Sequence, residues 1–189
     1  IRKMIGQFPY YLIFLIVVFI TISEHLKTKF FVKNEKSLKY IVLLIILLFM
    51  SFKFSVGGDW GNYLNEYDVR LKDLNLRDFS SDIGWLLLNI SLSSLGLSFV
   101  FLNALTAIIF LFGIHCHAKM YSNYWLYFLI LTPYFIFIVG MGYTRQSVSI
   151  GLALIAISIL LKENTIKSNL TYLFLIFIGV LFHKSVGIL

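Results

Sequence analysis

Charge is scarce in this chain. Only 13% of its 189 residues are Asp, Glu, Lys or Arg, and 59% are hydrophobic; an average soluble domain is about 25% charged and roughly 45–50% apolar. A chain of this length buries only about 70% of its unfolded surface, so water would face too much apolar side chain. A soluble globular domain is excluded, and so is a disordered chain. Cysteine is almost missing: Cys116 has no partner in the chain, which excludes a disulfide scaffold and says nothing about redox compartment. Of two prolines, Pro133 falls inside an apolar run, where loss of a backbone donor predicts a kink. No repeat and no low-complexity tract stands out beyond the apolar bias. What is present is a series of long apolar runs and a mean hydropathy of +0.88. The fold class that follows is all-α, a polytopic transmembrane helical bundle.

The net charge is +7. Basic charge often marks nucleic-acid binding, but five lysines (Lys27, Lys29, Lys33, Lys36, Lys39) share one short linker between two apolar runs. Positive-inside bias places such clusters in cytoplasmic loops, so no nucleic-acid partner is expected.

A spanning helix needs about 20 mostly apolar residues. The first run is 8–22, preceded by Arg2 and Lys3; no small-x-small cleavage site follows, so it reads as an uncleaved span. The second is 40–56, with Lys53 near its end. The stretch 83–114 divides at Gly96, and further runs are 124–139, 146–161 and 170 onward. Tyr124, Trp125 and Tyr127 suit an interfacial belt. The chain begins at Ile1 and stops at Leu189 within an apolar stretch, so it reads as the N-terminal part of a longer protein, a single transmembrane domain over 1–189.

Lysine placement orders the topology. The linker 24–39 is inside, and the loop 57–82 is outside, with Asp59, Glu66, Asp68, Asp73, Asp78 and Asp82 against Arg70, Lys72 and Arg77. The segment 83–95 has 13 residues, about 20 Å as a helix and short of the ~30 Å hydrocarbon core. It also carries Asn89, Ser91, Ser93 and Ser94. It is expected to lie on or re-enter the outer face, so that 57–96 forms an outer loop plus interfacial helix. The following spans then leave Lys119, Lys162 and Lys167 inside.

Three polar clusters interrupt the apolar background: residues 57–63, 142–147 and 183–185. In this topology all three reach the outer face. Asp59 follows Gly57 and Gly58, which allow close backbone approach to a ligand; it is a solvated helix-end carboxylate or a general base. Arg145 opens an apolar helix, where an arginine at mid-bilayer depth costs about 2.5–3.5 kcal/mol. It either snorkels to head groups or offers phosphate a bidentate fork, with Gln146 and Ser147 adding donors at a helix N-terminus. His183 is placed about one turn below the outer surface beside Lys184, as an interfacial pair or as groups for proton transfer and charge at a pyrophosphate. His115-Cys116-His117 looks like a metal cluster, but residues i and i+2 do not share a helix face, so a helix end is the expected reading. Asn89 and Asn103 are expected to hydrogen-bond between helices.

In this order the clusters resemble the EpsG-like group of bacterial Wzy-type polysaccharide polymerases. The matching stretches are Val56-Gly57-Gly58-Asp59-Trp60-Gly61-Asn62-Tyr63, Asp82-Ile83-Gly84-Trp85-Leu86-Leu87-Leu88-Asn89, Thr144-Arg145-Gln146-Ser147 and Leu181-Phe182-His183-Lys184-Ser185. The chain departs from the group in being shorter. The resemblance implies a fold related to C-type membrane glycosyltransferases in the bacterial cytoplasmic membrane. It implies that a glycan moves from its polyprenyl-diphosphate carrier onto another lipid-linked repeat unit at the outer face. It requires no cofactor, no nucleotide sugar and no metal, and implies chain-length regulator and flippase proteins as partners beside membrane lipid.

On that reading Arg145, Asp59 and His183 are catalytic. Arg145, helped by Gln146 and Lys184, stabilises the leaving diphosphate. Asp59 or His183 orients or deprotonates the acceptor hydroxyl. Trp60 and Tyr63 offer flat surfaces to sugar rings. Two other classes remain: a transporter or flippase of lipid-linked oligosaccharide, which would place polar groups near the bilayer midplane, and a membrane acyltransferase, whose histidine would meet a cytoplasmic donor.

Overall fold

The computed structural model describes residues 2–67, 82–163 and 165–188. Asp68, Arg70, Lys72, Asp73, Arg77 and Asp78, expected in the outer loop, lie outside the described residues. Among the described residues there are eight α-helices and no strand: α1 (Arg2–His25), α2 (Lys29–Ser51), α3 (Trp60–Asn65), α4 (Ile83–Ser94), α5 (Phe99–Ala118), α6 (Tyr124–Leu131), α7 (Thr144–Lys162) and α8 (Ile166–Phe182). Three stretches, Gln7–His25, Phe99–Ala118 and Thr144–Lys162, are long and apolar enough to cross a membrane. Shorter apolar helices are Ile83–Ser94, Tyr124–Gly140 and Ile166–Phe182.

Local chemistry moves two helix starts ahead of the apolar runs. Thr28 caps α2, its hydroxyl accepting from the Phe31 N–H at 3.3 Å and so satisfying a donor no helical carbonyl reaches. Lys39 then pairs with Glu35 one turn back at 2.6 Å. The lysine-rich linker is therefore mostly helix. Thr165 and Ser168 form a reciprocal capping box that starts α8 at Ile166. Pro133 produces no simple kink: the helix passes into π-helical turns over Thr132–Gly140, the wider winding that absorbs a missing backbone donor.

Contacts show that the long helices alternate in direction. At one end Glu24 of α1 accepts from the Trp125 N–H of α6 at 3.1 Å. His115 of α5 meets the Tyr124 hydroxyl at 2.9 Å, Lys39 lies over the Tyr124 ring, and His117 of α5 meets Ser158 of α7 at 3.2 Å. Every lysine of the α1–α2 cluster, with Lys119, Lys162 and Lys167, belongs to this end of the chain path. At the other end Tyr10 of α1 packs edge-on to Phe49 of α2 and Phe137 of the π-helical segment, and Ser149 of α7 reaches the last turn of α8. His115 and His117 serve different neighbours, as their spacing predicts.

Helix α4 is 12 residues long, about 18 Å. Its first turn packs Trp85 against Tyr63 of α3. Past its end the Leu97 carbonyl accepts from the Tyr67 hydroxyl at 2.7 Å, and α5 starts with Phe99 against Trp60 and Tyr67. Both ends of α4 thus contact the α3 segment, Trp85 through Tyr63 and Leu97 through Tyr67. Asn89 bonds the Trp85 carbonyl of its own helix at 2.7 Å rather than another helix.

The core joins Val17, Ile46, Phe110, Ile114, Phe128 and Ile136. Tyr124 and Trp125 are 4% and 1% exposed; they pack into this core, which corrects the expected interfacial belt. Gly113 and Gly151 set the closest crossing: a Cβ on Gly113 would lie 2.2 Å from the Gly151 carbonyl oxygen, and one on Gly151 2.7 Å from the Phe110 Cα. Small residues at such points let helix backbones meet in a membrane. Outward, α1 shows Phe8, Leu12, Leu15, Phe19 and Ile22, and α8 shows Leu170, Leu173, Phe174 and Phe177. Apolar faces this large suit lipid rather than water.

Candidate functional site

The site end is assembled from four separate segments. After α2 the chain turns sharply twice, with Ser55 (φ 51) and Gly57 (φ 82) both in the left-handed region. The second turn lays Gly57 on the α6–α7 junction, where its own Cβ would stand 2.4 Å from the Gly142 Cα. Only glycine meets both demands. Asp59 follows at the N-cap position of α3 without a side-chain cap bond, and its Oδ2 accepts from the Tyr63 hydroxyl at 3.4 Å.

Tyr63 stands one turn along α3 and is 3% exposed. One neighbour of its ring is Trp85, with centroids 5.1 Å apart; another is Arg145, whose Cζ is 5.4 Å from the ring centroid. Burial pushes the Tyr63 phenol above its ordinary range, and the Arg145 cation partly offsets this. The Arg145 guanidinium also pairs with Asp82 Oδ2 at 3.6 Å, and the Glu66 carboxylate adds to the negative field on it. Glu66 in turn accepts from Trp85 Nε1 at 3.0 Å. The Nε of Arg145 is buried without a hydrogen-bond partner among the described residues.

Trp60 is half-buried, edge-on to Phe54 at 4.9 Å and Phe99 at 6.4 Å. Gln146 is half-buried on the same first turn of α7. His183 caps the C-terminus of α8 in extended backbone, and its carbonyl accepts from Ser149 Oγ at 3.2 Å. The preceding Phe182 packs on the Tyr63–Trp85 cluster. His183 Nδ1 accepts the Ser185 N–H at 3.3 Å and lies 2.7 Å from the Ser185 hydroxyl. Lys184 is exposed at the start of the closing 3-10 turn.

Asp59, Trp60, Tyr63, Arg145, Gln146 and His183 therefore meet at one end of the bundle, with Tyr63 and Arg145 in direct contact. Three further residues join them that the motif reading did not assign: Asp82, Glu66 and Lys53. Lys53 is 8% exposed. It donates to the Thr144 hydroxyl at 2.9 Å and to the Gly140 carbonyl at 3.3 Å. It lies beyond the last residue of α2, and burial pushes its pKa down to about 8. The sequence signal for it was a lysine at the end of an apolar run. Among the described residues no group of three or more His, Cys, Asp or Glu is placed to hold a metal ion.

The arrangement offers cations and carboxylates side by side on a membrane-protein scaffold, which suits acid–base work beside an anionic leaving group. No curated protein and no solved structure matches the chain. The EpsG family model matches residues 36–189, a span that takes in every segment of the site, and the chain is a member of the EpsG family, membrane proteins of polysaccharide biosynthesis.

Proposed function

We propose that this protein polymerises polysaccharide by joining polyprenyl-diphosphate-linked repeat units at the outer face of the bacterial cytoplasmic membrane. The observation that carries the reading is the meeting of Asp59, Tyr63, Arg145 and His183 at the bundle end opposite the lysine clusters. Polar groups gathered at one end favour a transferase over a transporter, whose groups would sit at mid-depth.

In the reaction the acceptor hydroxyl oxygen attacks the anomeric carbon of the donor glycan. The bond from that carbon to the diphosphate oxygen breaks, and the polyprenyl diphosphate leaves with the electron pair. Arg145, with Gln146 and Lys184, meets the charge that develops on the leaving group. The acceptor proton passes to Asp59, whose carboxylate has no side-chain cap bond to α3, while the Nδ1 of His183 is engaged by Ser185. His183 then hydrogen-bonds to substrate. Tyr63 holds the Arg145 plane, and the half-buried Trp60 is the aromatic surface offered to a sugar ring.

The test is the full-length protein in nanodiscs with lipid-linked repeat units. Longer glycan and released polyprenyl diphosphate are expected. Arg145→Lys keeps the charge but loses the planar fork and is expected to make no polymer while inserting normally. Wild-type chain lengths from Arg145→Ala would remove the arginine from the mechanism.

A further inference from the structure

Among the described residues, Lys53 is a buried cation with no carboxylate beside it. It is 8% exposed, and its two hydrogen bonds go to neutral acceptors, the Thr144 hydroxyl and the Gly140 carbonyl. No carboxylate of the described residues pairs with it. Taking an ammonium out of water without a partner is strongly unfavourable. Thr144 is also the first residue of α7, and the positive end of a helix repels a cation.

Bridging a carbonyl and a hydroxyl needs two donors and no charge, so an amide side chain would do it. The ammonium has three N–H groups, and the described residues supply acceptors for two of them. An ionisable group kept at such a place points to a partner that arrives from outside. The neighbouring cation is differently placed. Arg145 already faces Asp82 at 3.6 Å and the field of Glu66, so much of its charge is met before any substrate binds.

We propose that Lys53 is the second cation of the phosphate site, donating its third N–H to the diphosphate of the lipid carrier at the N-terminus of α7. This rests on the polymerase reading for the identity of the anion. It divides the work: Arg145, held among carboxylates, brings its planar fork to the leaving diphosphate, and Lys53 adds net positive charge there. Departure of the diphosphate adds negative charge at a point where the protein has a positive one, and such a fixed charge acts without reorganisation.

The test uses the full-length protein in nanodiscs, with free polyprenyl diphosphate and polyprenol as probes. Lys53→Gln keeps two amide donors for the bridge; it is expected to bind polyprenyl diphosphate at least about tenfold more weakly, the loss of one charge-assisted hydrogen bond, and to bind polyprenol as before. Lys53→Arg is expected to recover diphosphate binding to within a few-fold. Unchanged diphosphate binding by Lys53→Gln overturns the proposal, as does equal loss in both variants. Displacement of the diphosphate by equimolar phosphatidylglycerol also overturns it, by placing an ordinary head group there. A structure of the wild-type protein with polyprenyl diphosphate needs no substitution: a phosphate oxygen about 3 Å from Lys53 Nζ is expected, and a diphosphate beyond contact overturns the assignment. Polymerisation by wild type with a neutral Lys53→Gln sinks only this proposal. Charge-dependent diphosphate binding without polymerisation sinks the polymerase reading and leaves the anion site.

Discussion

Gly57 and Gly142, eighty-five residues apart in the chain, touch backbone to backbone: a Cβ on Gly57 would stand 2.4 Å from the Gly142 Cα. This contact hangs the Asp59 segment on the start of the helix that carries Arg145. Gly57 also has φ 82, which costs an L-residue roughly 1–2 kcal/mol. Gly57→Ala is therefore expected to lose activity and to lower the unfolding temperature in detergent. Gly58, whose Cβ would meet nothing within 4 Å, is the control: Gly58→Ala is expected to unfold within a degree or so of wild type. Equal unfolding of the two variants would show that the crossing is not needed.

The crossing of α5 over α7 makes a second steric prediction. Gly151→Val would drive a branched side chain into the Ile109 carbonyl and Phe110 Cα, both 2.7 Å from the Cβ position. Overpacking of this kind costs typically 1–3 kcal/mol, and here the obstacle is backbone. Thermal unfolding of the purified protein should show a clear loss, and a neutral outcome would mean the helices can separate freely.

Asp59 and His183 are separable by chemistry. A general base contributes about 10²–10⁴-fold, so Asp59→Asn is expected to reduce extension of lipid-linked repeat units by that order. His183→Gln can still hydrogen-bond and should retain a measurable fraction of the rate. The reverse pattern would move proton abstraction to the histidine. Normal extension by both would take proton transfer away from either side chain.

Lys53 leaves a mark on stability as well. Its ordinary value is 10.5 and burial lowers it to about 8. Between those values the unfolded chain binds more protons than the folded one, so stability rises with pH across that window. The unfolding temperature of wild type should therefore gain on that of Lys53→Gln from pH 8 to pH 10, and be flat relative to it below pH 7. A flat difference throughout would mean that Lys53 is not held charged against burial.

Orientation can be read by labelling. Single cysteines at the exposed positions Asn62 and Ser185, made with Cys116 replaced, are expected to react with an impermeant thiol reagent added outside intact cells. Cysteines at Lys33 and Lys167 are expected to react only after lysis. Labelling at 167 and protection at 185 would invert the bundle and put the site in the cytoplasm.

Much of this molecule is legible in its sequence. Apolar runs of about 20 residues dictate membrane helices because a bilayer leaves no other partner for backbone polar groups. The segment after Asp82 was too short for a full span, and it forms a helix of 12 residues. The ordered short motifs led to the family and to Asp59, Arg145 and His183, since a charged residue in an apolar background is costly enough to mark itself. Other features depended on distant contacts. The fates of Tyr124 and Trp125 were decided by α1 and α5, which cover them, and periodicity carries no record of that cover. Asp82 reaches Arg145 across sixty-three positions, and Lys53 reaches Thr144 across ninety-one. Composition and local pattern determined that the chain is a membrane bundle with polar groups at one end, because burial and backbone hydrogen bonding act on each segment alone. Which charges are paired there, and which cation meets no carboxylate among the described residues, only the tertiary structure decided, because electrostatic partnership depends on distance through space and not along the chain.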